Sequence, residues 1–327
     1  MARARRARPV PRAAQPADAG DCPPLTPGPL DLTGYLAPEG FEAALAGELG
    51  AVAFRIGRLH FAPGPPRAVA WAANVWRRPV VIPAPSIGQA AKALRAIQRN
   101  WWPYVPHHHR RAALIADALP KVTAKKLVFP ALAPTAPLGA WTLADATTLI
   151  AAAETSSPFP NGAPAFVEDR DGPPNRAYLK LWEALTVLGR HPRPGERCVD
   201  LGAAPGGWTW VAAKLGAHVL AVDKAPLAPA VAAMAGVEMR RESAFALDPA
   251  AMGSVDWLFS DVVCYPARLL ALIERWRAAG AVRNIVATVK FQGPTDVGAQ
   301  ARFAALPGGR LVHLHHNKHE LTWLWPA

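Results

Sequence analysis

The chain has 327 residues, 51% of them apolar and 18% charged, with a formal net charge of +12. That length accommodates two domains with sizeable cores, and no run is long and apolar enough to span a bilayer as a helix. The positive balance points to a polyanionic partner. Cys22, Cys198 and Cys264 are too few and too scattered for a disulfide framework or a zinc site, so a reducing, cytoplasmic setting is expected.

Residues 1–30 carry Arg3, Arg5, Arg6, Arg8 and Arg12 amid alanine and proline, without the apolar stretch a secretory signal needs. An organellar transit peptide shares this composition; a disordered basic tail is the reading adopted. Order is expected from Leu32, with a strand at 32–36 and a helix at 38–49 presenting Phe41, Leu45 and Leu49 on one face. Alternating Val52, Phe54, Ile56 and then Leu59, Phe61 predict a hairpin turning at Gly57. Ser86 opens a second helix with Gln89 at the capping-box position. Its Ile87, Leu94 and Ile97 are expected inside, and Lys92, Arg95 and Arg99 outside.

From Trp101 rings and cations interleave: Trp101, Trp102, Tyr104, His107, His108, His109, Arg110 and Arg111, with Lys121, Lys125 and Lys126 beyond. Aromatics that stack on bases beside cations that hold phosphates are the ingredients of RNA binding. A solvated basic turn before an alanine-rich helix accounts for the same residues equally well. Consecutive histidines diverge and no carboxylate or thiol lies nearby, so no metal is expected there. Residues 130–140 read as linker and 141–154 as a helix. The stretch 31–165 is thus a small α+β domain for RNA or substrate.

Residues 172–327 alternate strand and helix signals. Strands are predicted at 198–201, 218–222, 237–240, 257–260, 284–289, 310–314 and 321–325, and helices at 209–215, 268–279 and 296–305. That pattern argues for an α/β doubly wound sheet. A turn with Gly202, Gly206 and Gly207 follows the first strand. Glycines there let the backbone pass a ligand closely and aim helix N-terminal amides at it. Asp223 ends the next strand, where such folds hold a ribose diol. By itself the turn implies a nucleotide-type cofactor at a topological switch point. Its spacing is not Gly-x-Gly-x-x-Gly, and no Ser/Tyr-x-x-x-Lys set accompanies it, which argues against a nicotinamide oxidoreductase. Charged residues stand at later strand ends: Asp261, Lys290 and Glu320, with Lys180 on a helix ahead of the first strand.

Taken together, Asp200-Leu201-Gly202-Ala203-Ala204-Pro205-Gly206-Gly207-Trp208, Ser260-Asp261, Val289-Lys290-Phe291-Gln292-Gly293, Glu320-Leu321-Thr322 and the upstream Lys180 resemble the FtsJ-like ribose 2′-O-methyltransferases. Within them the chain is similar to the bacterial large-subunit ribosomal RNA cytidine 2′-O-methyltransferases, which place a THUMP-containing RNA-binding region first. The resemblance covers about residues 172–325. It implies a Rossmann-like methyltransferase sheet, parallel with an antiparallel edge strand, that uses S-adenosylmethionine on RNA, with no metal, no membrane and a monomer as default. It also implies a catalytic set of Lys180, Asp261, Lys290 and Glu320, in which Lys290 is the general base and the others orient it and the hydroxyl. The cofactor is expected on Asp200, Gly202, Ala204, Pro205, Gly206, Gly207, Trp208, Asp223, Ser243 and Asp261. Two departures stand out. Glu242-Ser243 replaces the family's usual aspartate at the adenine, and Val262-Val263-Cys264-Tyr265-Pro266 differs from the commonest run after the catalytic aspartate. Transfer RNA or an mRNA cap as substrate is one alternative, and a non-catalytic RNA-binding protein on the same scaffold is another.

Overall fold

The computed structural model describes residues 22–326. Up to residue 21 the expected basic tail lies outside the described residues. Its described end contributes a short strand, β1 (Gly28–Pro29). The elements that follow are β2 (Leu32–Leu36), α1 (Glu42–Leu49), β3 (Phe54–Ile56), β4 (Leu59–Pro63), β5 (Asn74–Arg77) and β6 (Val80–Pro83). Then come α2 (Ile87–Ile97), β7 (Trp101–Pro103), α3 (His109–Asp117), β8 (Gly139–Leu143), β9 (Thr148–Ala152) and β10 (Glu154–Thr155). They form two five-stranded sheets, ordered β1-β6-β9-β8-β7 and β10-β5-β2-β4-β3.

Side-chain alternation sets the layers. On β8 and β9, Trp141, Leu143, Leu149 and Ala151 pack with α2 and α3. Their neighbours Ala140, Ile150 and Ala152 turn the other way, onto Leu36, Phe61 and Trp76 of the second sheet. This hairpin replaces the helix expected at 141–154. Alanine-rich composition favours a helix, but strands buried on both faces carry their apolar residues continuously, which hides the period of two. Asp145 makes the turn, accepting from the Thr147 amide at 2.7 Å and its hydroxyl at 3.0 Å.

Ile97, expected inside, is 45% exposed. It is the last residue of α2 and lies about 60° round the axis from Leu94, beyond the buried stripe of Ala90, Ala91 and Leu94. The Ser86 cap forms as expected, its hydroxyl accepting from the Gln89 amide at 3.2 Å.

The second half comprises α4 (Tyr178–Leu188), β11 (Arg197–Leu201), α5 (Gly207–Lys214), β12 (His218–Val222), α6 (Pro229–Ala232) and β13 (Val237–Arg240). It continues with β14 (Val255–Ser260), α7 (Pro266–Ala278), β15 (Val282–Lys290), α8 (Val297–Ala304), β16 (Arg310–Val312) and β17 (Glu320–Trp325). The seven-stranded sheet runs β13-β12-β11-β14-β15-β17-β16. Strands β11 to β15 are parallel; β17 is antiparallel to both neighbours and stands one place in from the edge. One face packs on α4 and α5 through Leu179, Trp182 and Trp210. The other packs on α7 and α8 through Leu269, Ile273, Trp276 and Phe303. The chain winds outward from β11 to β13 and then returns to β14 on the other side. The loops after β11 and β14 therefore diverge across a crevice, the switch point of this sheet.

Rings join the two halves. Phe41 lies 4.9 Å from both Trp71 and His313 between centroids, and Trp71 lies 6.2 Å from Phe291. The Trp71 indole donates to Gln300 Oε1 of α8 at 3.0 Å, and the His313 amide donates to the Ala70 carbonyl at 2.7 Å. Each ring pair contributes about 0.5–1.5 kcal/mol beyond its buried area. Burial pushes the His313 imidazole down to about 4, so it packs there as a neutral ring at neutral pH. Phe291 follows Lys290 and His319 precedes Glu320, so the first half braces the backbone that carries two of the charged residues. Among the described residues no helix is long and apolar enough to cross a membrane.

Candidate active site

The glycine turn after β11 adopts backbone that side chains disfavour, with φ of 78° at Gly202 and 116° at Gly206. It is also crowded. A Cβ on Gly202 would lie 2.7 Å from Val262 Cα, and one on Gly207 would collide with Asn175 Oδ1. The turn is thus pressed between the segment after β14 and the approach to α4. Trp208 is buried there, its indole donating to the Ala177 carbonyl at 2.9 Å. Ala204 lends its amide to Asp223 at 3.1 Å, and Ala225 donates to the same carboxylate at 3.0 Å. Pro205 is exposed at the tip. Ser243, in the loop after β13, accepts from the Phe245 amide at 3.4 Å. It lies two strands out from β11, away from the charged set.

Asp200 is 1% exposed. Its Oδ2 accepts from the Thr209 hydroxyl at 2.7 Å, and its Oδ1 has no partner in the protein. Burial pushes this carboxyl up to about 7, with the Thr209 hydrogen bond pulling the other way. Folded Asp200 therefore holds its proton more tightly than unfolded aspartate. The stability this lends is complete below about pH 4 and is lost as pH rises through about 7. Asp200→Asn keeps the acceptor for Thr209 and removes the titration. Thermal unfolding from about pH 5 to 8 should show the parent losing stability relative to the variant as pH rises. Parallel curves would refute the raised carboxyl.

The four charged residues converge. Lys180 rises from the first turn of α4, Asp261 follows β14, Lys290 ends β15, and Glu320 opens β17 directly opposite Lys290 in the antiparallel register. Lys180 Nζ lies 2.9 Å from Asp261 Oδ1 and 2.7 Å from Glu320 Oε1. Lys290 Nζ lies 3.2 Å from Asp261 Oδ1 and donates to the Asp261 carbonyl at 2.5 Å. Two ammonium groups thus share one carboxylate oxygen, and the second carboxylate closes on the inner lysine. Burial lowers the affinity of Lys180 for its proton, but Asp261 and Glu320 outweigh it and hold the ammonium above its ordinary value. Burial raises the Asp261 carboxyl, and the two lysines more than reverse this. Both groups therefore stay charged through neutral pH.

A residue that carried no motif supports this set. Glu183 stands one turn from Lys180 on the same helix face and is 3% exposed. Its carboxylate accepts from the His315 amide at 2.6 Å, the His316 amide at 2.9 Å and His316 Nδ1 at 2.7 Å. It anchors the loop that leads into Glu320. An acidic residue within the apolar run Leu181-Trp182-Glu183-Ala184-Leu185 was its one visible signal. Thr209 and Asn175 had none.

The ring-and-cation stretch is split by the fold. Trp101 and Tyr104 are core residues, and His107 Nε2 meets the Leu143 carbonyl at 2.7 Å. His108, His109 and Arg110 are exposed, with Lys121, Lys125 and Lys126. Of its aromatic groups, half-buried Trp102 is left as a stacking candidate. Among the described residues no three His, Cys, Asp or Glu side chains are grouped to hold a metal ion.

Residues 173–278 match the family described as FtsJ-like methyltransferase. Lys180, the glycine turn and Asp261 fall within that match; Lys290 and Glu320 lie beyond it. The ribosomal RNA large subunit methyltransferase M of Halorhodospira halophila is 40% identical over 172 residues, 50% of this chain and 50% of that protein. The protein of the same name from Alkalilimnicola ehrlichii is 37% identical over 188 residues, 54% of this chain and 51% of its own. The chain spans about half the length of the curated relatives it matches. Among solved structures, Aeropyrum pernix fibrillarin with natively bound S-adenosyl-L-methionine aligns at 19% identity and a TM-score of 0.33, over 45% of this chain and 75% of its own. The region that brings Lys180 and Asp261 together beside the glycine turn is thus the part of the chain similar to the FtsJ-like methyltransferases.

Proposed function

We propose that the chain transfers the methyl group of S-adenosylmethionine to a ribose 2′-hydroxyl of RNA, with large-subunit ribosomal RNA in the cytoplasm as its substrate. The observation that carries this reading is the convergence of two lysines and two carboxylates beside the glycine turn. The residues fit the donor. Asp200 offers an acceptor oxygen with no partner, and Asp223 offers further lone pairs at the end of β12. The first amides of α5, after Gly206, lack helical partners and would serve the bound donor. Trp208 would contribute through its backbone, since its ring is committed to packing. Bound there, the donor supplies an electrophilic methyl group on a sulfonium.

The protein's own share is alignment and proton transfer. Methyl transfer is an in-line displacement, and holding both partners in register supplies much of the acceleration. A ribose hydroxyl must lose its proton as the new bond forms. Lys180 is held charged between two carboxylates and has no capacity to accept it. Lys290 pairs with Asp261 alone among the described carboxylates and has 20% of its side chain exposed, against 8% for Lys180. Lys290, once its ammonium has released a proton to solvent through its exposed side, is therefore the base that takes the hydroxyl proton; Asp261 aims it, and Lys180 with Glu320 fixes Asp261.

The net charge of +12 and the exposed cations of α3 and the loop beyond it support a polyanionic substrate. The names of the relatives support ribosomal RNA. The purified protein, tritiated S-adenosylmethionine and RNA from a strain lacking this gene form the test. Label is expected in large-subunit RNA, in an alkali-resistant dinucleotide. Label in a base, or in transfer RNA alone, would overturn the assignment.

A further inference from the structure

The segment after β14 does more than deliver Asp261. Burial alternates along it: Val262 is half-buried, Val263 exposed, Cys264 buried, Tyr265 exposed and Pro266 buried. Tyr265 has extended backbone, with φ −64° and ψ 143°. Val263, at 74% exposure, and Tyr265, at 69%, are both open to solvent on either side of buried Cys264. Its inner members are anchored. Cys264 belongs to the core under α7, and Val262 is seated against Gly202 of the glycine turn. Tyr265 enters no aromatic pair among the described residues.

The neighbouring loop shows the same feature. Val297, 71% exposed, starts α8 after the loop that follows Lys290. Single exposed apolar side chains are ordinary. Val263 and Tyr265 stand after β14 and Val297 at the start of α8, beyond the loop after β15; Asp261 follows β14 and Lys290 ends the adjacent β15. Asp261 and Lys290 are also the more open members of the set, each with 20% of its side chain exposed, against 8% and 11% for Lys180 and Glu320. A hydroxyl reaching Lys290 would enter at the end of the sheet where these loops emerge.

We propose that Tyr265, flanked by Val263, is the platform on which the base of the nucleotide being methylated stacks. The proposal rests on the RNA 2′-O-methylation reading above. A ribose whose 2′-hydroxyl reaches a partly buried lysine has left its helical stack, and its base has lost stacking partners. The face of Tyr265 replaces one of them, and an anchored segment pays little entropy to do so. Every base has a π-face, so this contact sets affinity and residence rather than base identity.

Steady-state methyl transfer to an in vitro transcript of large-subunit RNA tests this, alongside S-adenosylmethionine affinity by calorimetry. Tyr265→Ala is expected to raise the KM for RNA about tenfold and to leave S-adenosylmethionine affinity unchanged. Tyr265→Phe and Tyr265→Trp are expected to keep the parent KM. Tyr265→Leu, apolar without a π-face, is expected to behave like alanine. A parent-like KM for the alanine or leucine variant overturns the platform, as does loss of cofactor affinity in the alanine variant. A parent protein that binds S-adenosylmethionine yet labels no RNA overturns the underlying reading, and the platform falls with it.

Discussion

Lys290→Ala should lower the rate of methyl transfer by about 10²- to 10⁴-fold, the range expected for loss of a positioned general base. S-adenosylmethionine affinity should be unchanged, because the glycine turn, Asp200 and Asp223 belong to other strands. The fold should also survive. Lys290 is the more exposed lysine, and its removal leaves Asp261 paired with Lys180 at 2.9 Å. Single-turnover transfer from tritiated donor, with calorimetry for the cofactor, separates the two effects. A variant that transfers at the parent rate would remove Lys290 from the chemistry. Lys290→Arg is the sharper control: it keeps the charge beside Asp261 but cannot give up its proton at neutral pH. It should be as slow as the alanine variant.

Lys180→Met should have its largest effect on stability. The change leaves Asp261 and Glu320 in a site where their side chains are 20% and 11% exposed, without the ammonium that bridges them. Breaking a buried ion pair by removing one partner costs about 3–5 kcal/mol, because the remaining charge is stranded. The pH dependence should change as well. In the parent, the lysines hold Asp261 below its ordinary range, so its contribution is present above that range and lost as pH falls through it. In the variant, Asp261 keeps only Lys290 and is held less far below that range, so less of its contribution is lost on acidification. The gap between the two unfolding curves should therefore narrow on acidification. Adding Glu320→Gln to Lys180→Met removes one stranded charge and should recover part of the loss. Equal stability of Lys180→Met and parent at neutral pH would mean that the pairs carry no net structural weight.

The relation of the two halves bears on both experiments. Phe41 and Trp71 pack on the backbone at Phe291 and His319, one residue outside Lys290 and Glu320. The first half thus packs beside the strand pair that carries Lys290 and Glu320, in addition to supplying exposed cations. Kinetic comparison of variants belongs in the full chain for that reason.

The doubly wound half and the residues of its candidate site were legible in the sequence. Parallel strands buried on both faces read as short apolar runs, and a charge or glycine marks where each run leaves the core. The turn at Gly202–Gly207, Asp223, Asp261, Lys290 and Glu320 were visible for that reason. One helix start with local chemistry was visible too, the Ser86 cap, whose hydroxyl accepts from the Gln89 amide.

The tertiary structure decided what depends on distant partners. Strand pairing turned the alanine-rich 141–154 into a hairpin, because burial on both faces overrode helix propensity. Glu183 became the anchor of the loop before Glu320 only when α4 met that loop, 132 residues away in the chain. Burial took Trp101 and Tyr104 out of the expected stacking surface and left Tyr265 outside. Lys180 and Lys290 are the same residue type at similar sites in the sequence. Their unequal burial, with two carboxylates on one and one on the other, is visible only in the folded chain, and the proposal of Lys290 as the base rests on it.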